Sequence, residues 1–162
     1  MARSGYEIES AMLYKFAKFV AWPAGALGDN GAPLVVGVVG NDAFFSVLKA
    51  TLRGKSAYGH PIVLRRLDSR ADPKGCQVLY VGVSDRAEAA EILEVAGREP
   101  VLTVGDGLQF SRQGGVIAFI RDGGHIGFEI NLDAAERAGL EISSKLLRLA
   151  IIWRETGMEA EN

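Results

Sequence analysis

"CQVLYVGVSDRAEAAEILEVAGREPVLTVGD", residues 76–106, is an apolar run, a polar junction, an amphipathic stretch and a second apolar run. The first run, 76–84, is almost continuously apolar, as expected of a strand covered on both faces. Ser84 or Asp85 supplies an N-cap for "RAEAAEILEVAG", and 100–106 is the next strand. A helix between two strands gives the chain length for a crossover, so the second strand runs parallel to the first. This one unit places the chain in the α/β class.

The same rhythm extends outward on the N-terminal side. "PLVVGVVG", 33–40, is a strand, followed by the helix "AFFSVLKATLRG" with Asn41 or Asp42 as cap and Gly54 as stop. "HPIVLRRLD", 60–68, is another strand. Ahead of them, Ile8, Met12, Leu13, Phe16 and Val20 recur at helical spacing until Trp22-Pro23 ends the pattern. Past 107 the pattern changes. "VIAFIRD" and "HIGFEIN" flank Gly123-Gly124 and predict an antiparallel hairpin, and helical stretches are expected near 132–138 and 142–155. The expected fold is a three-layer α/β sandwich with a mostly parallel central sheet and a C-terminal antiparallel hairpin.

Length and composition fit a single domain over 1–162, with residues 1–5 read as a remnant or disordered lead-in. The chain is 48% hydrophobic and 23% charged, a balance that supports independent folding. A net charge of −2 with scattered basic residues offers no field for a polyanion, so nucleic acid is not an expected partner. No run reaches the roughly 18 apolar residues of a membrane-spanning helix. "MARSGYEIES" has no signal-peptide core, which leaves the compartment open because such a segment is removed on maturation.

Catalytic and metal chemistry find little to stand on. Gly37 and Gly40 lie around a strand end and a helix start, but without G-x-G-x-x-G spacing they read as a structural turn. Cys76 is the single cysteine, so no intrachain disulfide forms, and it reads as a buried thiol. His60 and His125 lack clustered partners, and no metal site is expected. Ser143 and Ser144 precede "KLLRLAIIW" without a nucleophile elbow and read as a helix N-cap. No catalytic residue and no cofactor are expected. A hydrolase ranks last, for want of a paired acid and base.

Two constellations remain. Gly40, Ser84 and Asp106 fall at carboxyl ends of strands, where open α/β sheets bind ligands. They define an alternative function as a small-molecule-binding module, although Asp106 reads more readily as a cap of the next turn. Glu129 alternates with Phe128 and Ile130, so it points to the opposite face. That face is either solvated or a charged contact in a protein interface.

Six blocks together resemble the YfiR family of bacterial periplasmic regulators. They are "LYKFAKFVAWP" (13–23), "LVVGVVGNDAFF" (34–45), "GHPIVLRRL" (59–67), "CQVLYVGVS" (76–84), "VLTVGDGLQFSRQGGVIAFI" (101–120) and "FEINLDAAERAGLEISSKLLRLA" (128–150). The resemblance implies a periplasmic, non-enzymatic α/β protein, often a homodimer, that restrains an inner-membrane diguanylate cyclase by binding its periplasmic sensor region. Release raises cyclic-di-GMP and favours biofilm, and an outer-membrane lipoprotein sequesters the repressor in such systems. Phe128, Glu129, Ile130 and Asn131, with Gln113, Gly114 and Gly115, match the family signature, and the tetrad is the expected partner-facing surface. Cys76 matches a family cysteine, but this chain holds no second cysteine to pair with it.

Overall fold

A computed structural model describes residues 3–68, 73 and 75–155. In chain order the elements are α1 (Arg3–Phe19), β1 (Val20–Ala21), β2 (Leu34–Gly40), α2 (Asp42–Leu52), β3 (Ser56–Ala57) and β4 (His60–Leu67). There follow β5 (Val78–Gly82), α3 (Arg86–Ala96), β6 (Leu102–Asp106), α4 (Leu108–Arg112), β7 (Ile117–Asp122) and β8 (His125–Asn131). The chain closes with α5 (Leu132–Arg137), β9 (Glu141–Ile142), α6 (Ser144–Leu147) and β10 (Ile151–Trp153). Residues 3–5, expected as a lead-in, open α1, while 1 and 2 lie outside the described residues.

An eight-stranded sheet runs in the order β10-β8-β7-β6-β5-β2-β4-β3. The pairs β2–β4, β2–β5, β5–β6 and β6–β7 are parallel, as the helical crossovers dictate. β7 and β8 form the expected antiparallel hairpin, closed between Asp122 and His125. Gly123 (φ 56°) and Gly124 (φ 88°) both take left-handed backbone there, the conformation a two-residue type I′ turn requires.

Side-chain alternation sorts the core into two clusters, one on each face of the sheet. Val36, Val38, Tyr80, Val104 and Phe119 pack with Leu13 and Phe16 of α1 and with Phe44 and Leu48 of α2. Leu79, Val81 and Ala118 pack on the opposite face with Ile92 and Leu93 of α3 and Phe110 of α4. Strands apolar on both faces are what such double cover demands.

Besides the short strands β1, β3 and β9, two elements that bear on the site depart from the sequence reading. The helix expected over 142–155 is only the short α6, after which Ile151–Trp153 is a strand parallel to β8, paired Ile151 to Glu129 and Trp153 to Asn131. The β-branched pair Ile151-Ile152 meets an unpaired sheet edge, and ladder hydrogen bonds there outweigh helix propensity. The other departure is α4, which lies where no helix was expected. Its side holds Phe110 over Gly105 and Gly115, where an added Cβ would come within 2.5 and 2.2 Å of the ring.

Candidate functional site

Five side chains converge near the carboxyl ends of the central strands. Tyr80 on β5 donates its hydroxyl hydrogen bond to Asp106 at the end of β6, and Asn41 Nδ2 donates to the same phenol oxygen at 3.3 Å. Arg121 on β7 donates to Asp106 Oδ1 at 3.2 Å and stands 2.7 Å from Glu9 Oε2 of α1. Glu9 is fully buried and competes with Asp106 for one guanidinium. Burial, reinforced by the Asp106 charge and opposed by Arg121, pushes the Glu9 carboxyl up to about 7. Burial and the same aspartate raise the Tyr80 phenol, so it stays a neutral donor. Glu9 Oε1 and its neighbour Ser10 Oγ are buried with no hydrogen-bond partner among the described residues.

Asp106 therefore caps nothing. Gly107 is the N-cap of α4 and makes no side-chain cap hydrogen bond, which corrects the favoured reading of this aspartate. Asn41 and Asp85 are the caps of α2 and α3, the first accepting from Phe44 N and the second from Ala87 N and Glu88 N.

Asp106 also borders a cavity of about 320 Å³ between α3 and α4, which it shares with Ser84, Arg86, Gln109 and Gln113. Two of the three expected pocket residues are thus brought together. Gly40 is not in the lining. It takes φ 73° and lies so close to β5 that a Cβ would meet Gly82 O at 2.9 Å, which closes that crevice with backbone.

The Phe-Glu-Ile-Asn tetrad lies inside the fold. Phe128, Glu129, Ile130 and Asn131 are 4%, 3%, 0% and 0% exposed. Glu129 does point away from its apolar neighbours, but α4 covers that face. The carboxylate accepts from the Ser111 hydroxyl and from Arg112 Nη1, and the Arg112 guanidinium stacks 4.1 Å from the Trp153 ring centroid. Asn131 Nδ2 donates to Ser111 O at 2.9 Å, and its Oδ1 caps α5 by accepting from Ala134 N. Neither a solvated face nor an outward interface contact describes these surroundings. The sequence carried no sign of this, because α4 and β10, which enclose the tetrad, were not among the elements it revealed.

The remaining candidates are structural. His60 is buried, its Nδ1 2.6 Å from Ala32 O, and His125 sits exposed at the hairpin turn. Cys76 is buried, with its sulfur positioned where a side chain on Gly37 would be. Ser143 caps α6 by accepting from Lys145 N. Among the described residues no group of three or more His, Cys, Asp or Glu side chains is placed to hold a metal ion. No helix among them is long and apolar enough to cross a membrane.

Comparison with known families matches residues 6–151 to the family described as YfiR/HmsC-like. Among solved structures, a conserved domain protein from Vibrio cholerae O1 biovar El Tor is similar at 15% identity and a TM-score of 0.61, over 93% of this chain and 60% of that one. An ABC domain from Streptococcus pneumoniae, solved with L-Trp, is similar at 10% identity and a TM-score of 0.52, over 80% of this chain and 57% of that one. At such identities the likeness is one of fold, and the chain aligns to about three fifths of each neighbour's length.

Proposed function

We propose that this chain, which belongs to the YfiR/HmsC-like family, is a periplasmic, non-enzymatic regulator that binds the periplasmic sensor region of an inner-membrane diguanylate cyclase and represses it. The family match over residues 6–151 is the observation that carries this reading. The geometry supports its non-enzymatic part, because two carboxylates are taken up by hydrogen bonds. Glu129 is held by Ser111 and Arg112, and Asp106 by Tyr80 and Arg121. Repression then works by occupancy. The complex shifts the sensor toward its inactive state only as far as the regulator prefers that state. Cyclic-di-GMP and biofilm control, capture by an outer-membrane lipoprotein and homodimer formation belong to the same proposal. The phenylalanine-to-asparagine tetrad serves it by fixing α4, α5 and β10 in place.

Copurification of this chain with the periplasmic segment of a cyclase encoded beside it tests the reading. A micromolar or tighter complex is expected. Two folded proteins that do not associate at that concentration count against it.

One observation favours a second reading as a small-molecule-binding module. The cavity bordered by Ser84 and Asp106 lies at carboxyl ends of strands, where open α/β sheets take ligands, and the Streptococcus pneumoniae neighbour was solved with L-Trp. A thermal-shift screen of small polar metabolites that includes tryptophan addresses it. A ligand at 100 times its Kd adds about 2.7 kcal/mol to stability, and uniformly flat melting curves reject the reading.

A further inference from the structure

The outer side of α1 carries a surface that the reading above leaves unused. Met12 and Phe16 of α1, Ile126 and Phe128 of β8, and Leu146 and Leu149 after β9 enclose an apolar groove of about 230 Å³. Gly127 forms part of its lining through its backbone. Leu149 is 64% exposed at its border, and Ile8, one turn before Met12 on α1, is 48% exposed.

Lysines gather beside this groove. Lys15 lines it. Lys18 lies 5.2 Å from the Tyr14 ring centroid and 5.8 Å from that of Phe19, Lys55 lies 5.8 Å from Tyr14, and Lys145 lies 5.8 Å from Phe19. The two rings thus tie three lysines into one patch beside the fourth. All four lysines are exposed, and among the described residues none of them makes an ion pair.

We propose that this face docks an acidic protein segment that carries a bulky apolar side chain. The apolar residue fills the groove between α1 and β8, and its flanking Asp or Glu residues meet Lys15, Lys18, Lys55 and Lys145. Apolar anchoring supplies the affinity, and the lysines select the acidic partner and speed its approach. The inference rests on the regulatory reading only in taking the partner to be a protein.

The experiment is a pair of measurements on the full chain. In the first, 15N-labelled protein is titrated with a synthetic peptide of alternating Leu and Glu clusters, with the Lys-for-Glu peptide and phosphatidylglycerol vesicles as comparisons. Amide shifts are expected at Met12, Lys15, Lys18, Gly127 and Leu149 with the acidic peptide alone. The combined variant Lys15→Glu, Lys18→Glu, Lys145→Glu, all surface positions, is expected to weaken binding by about tenfold, since each exposed pair contributes a fraction of a kcal/mol. Leu149→Asp is a second variant with a separate readout, the loss of the groove shifts. No shifts at millimolar acidic peptide, shifts on another face, or equal binding of the Lys peptide overturn the proposal. Vesicle binding in place of peptide binding overturns it in favour of a membrane surface. In the second measurement the same variants are copurified with the cyclase segment. If the parent chain binds acidic peptide but no cyclase segment, the regulatory target is wrong and the docking face stands. If the cyclase segment binds parent and variants equally, the docking face is wrong for that partner and the regulatory reading stands.

Discussion

At Glu129 a carboxylate is enclosed by α4 on its own face and by β10 along the strand edge, with Ser111 and Arg112 as its hydrogen-bond donors. Removing one partner of such a pair strands the other, which costs more than the pair's net contribution. Glu129→Lys is therefore expected to lower folding stability by about 3 kcal/mol, read as a lower urea midpoint. Retention of the parent midpoint would show the enclosure to be looser than described. Glu9 gives the opposite kind of effect. Its carboxyl titrates at about 7 in the fold against an ordinary 4.5, so the unfolded chain ionises first as pH rises. The stabilisation is complete below pH 4.5 and is lost as pH climbs to about 7, an effect of up to about 3 kcal/mol. Glu9→Gln is neutral at every pH and is expected to flatten stability between pH 5 and 8. Equal slopes in parent and variant rule out Glu9 as the source. Residue roles of this kind were hard to read from sequence. Alternation correctly turned Glu129 away from Phe128 and Ile130, but nothing local announces which element covers that side.

Elements were far more legible, and for definite reasons. The strands at 34–40, 78–82 and 102–106 are short apolar runs bounded by Gly, Asn or Asp, and the helix at 86–96 begins at a capping aspartate. Asp85→Ala removes the acceptor for Ala87 N and Glu88 N and is expected to cost about 1 kcal/mol, or 2–4 °C in Tm. An unchanged melting temperature argues that solvent replaces the cap in full. The C-terminal stretch was misread because Leu146, Leu147, Leu149, Ile151 and Ile152 are apolar without a clean period, and only the free edge of β8 decides for a strand. β10 itself buries little, with Ile151 and Ile152 54% and 44% exposed. It is fastened instead by the Arg112–Trp153 stack and by charge. Arg154 pairs with Asp133 and Glu136, and Arg137 with Glu155, whose carboxyl that hydrogen bond holds below its usual range. Trp153→Ala is expected to raise amide exchange across 151–155 while leaving β5 and β6 protected. Exchange that rises uniformly across the sheet contradicts this local picture.

For the whole molecule, the chain order of strands and helices was enough to give a parallel α/β sheet with a terminal hairpin, since crossover length and handedness leave few alternatives. What it could not give was which surfaces remain outside once every element is placed, and those are the surfaces a regulator uses. The two faces of β8 divide these roles, because the strand presents Glu129 and Asn131 to α4 and lines the groove beside α1 with Ile126 and Phe128. The seat of Phe110 binds this arrangement together. Its ring occupies the space that side chains on Gly105 and Gly115 would need, so "VGDG", "LQF" and "QGG" are parts of one joint that spans β6, α4 and the entry to β7. Drift at any of the three positions is then admissible only in company. Gly115→Ala alone is expected to unseat α4 and uncover Glu129, whereas Gly115→Ala with Phe110→Ala restores room for the methyl group. Measured as a double-mutant cycle, the pair is expected to cost less than the sum of its members, which makes this stretch a single heritable unit.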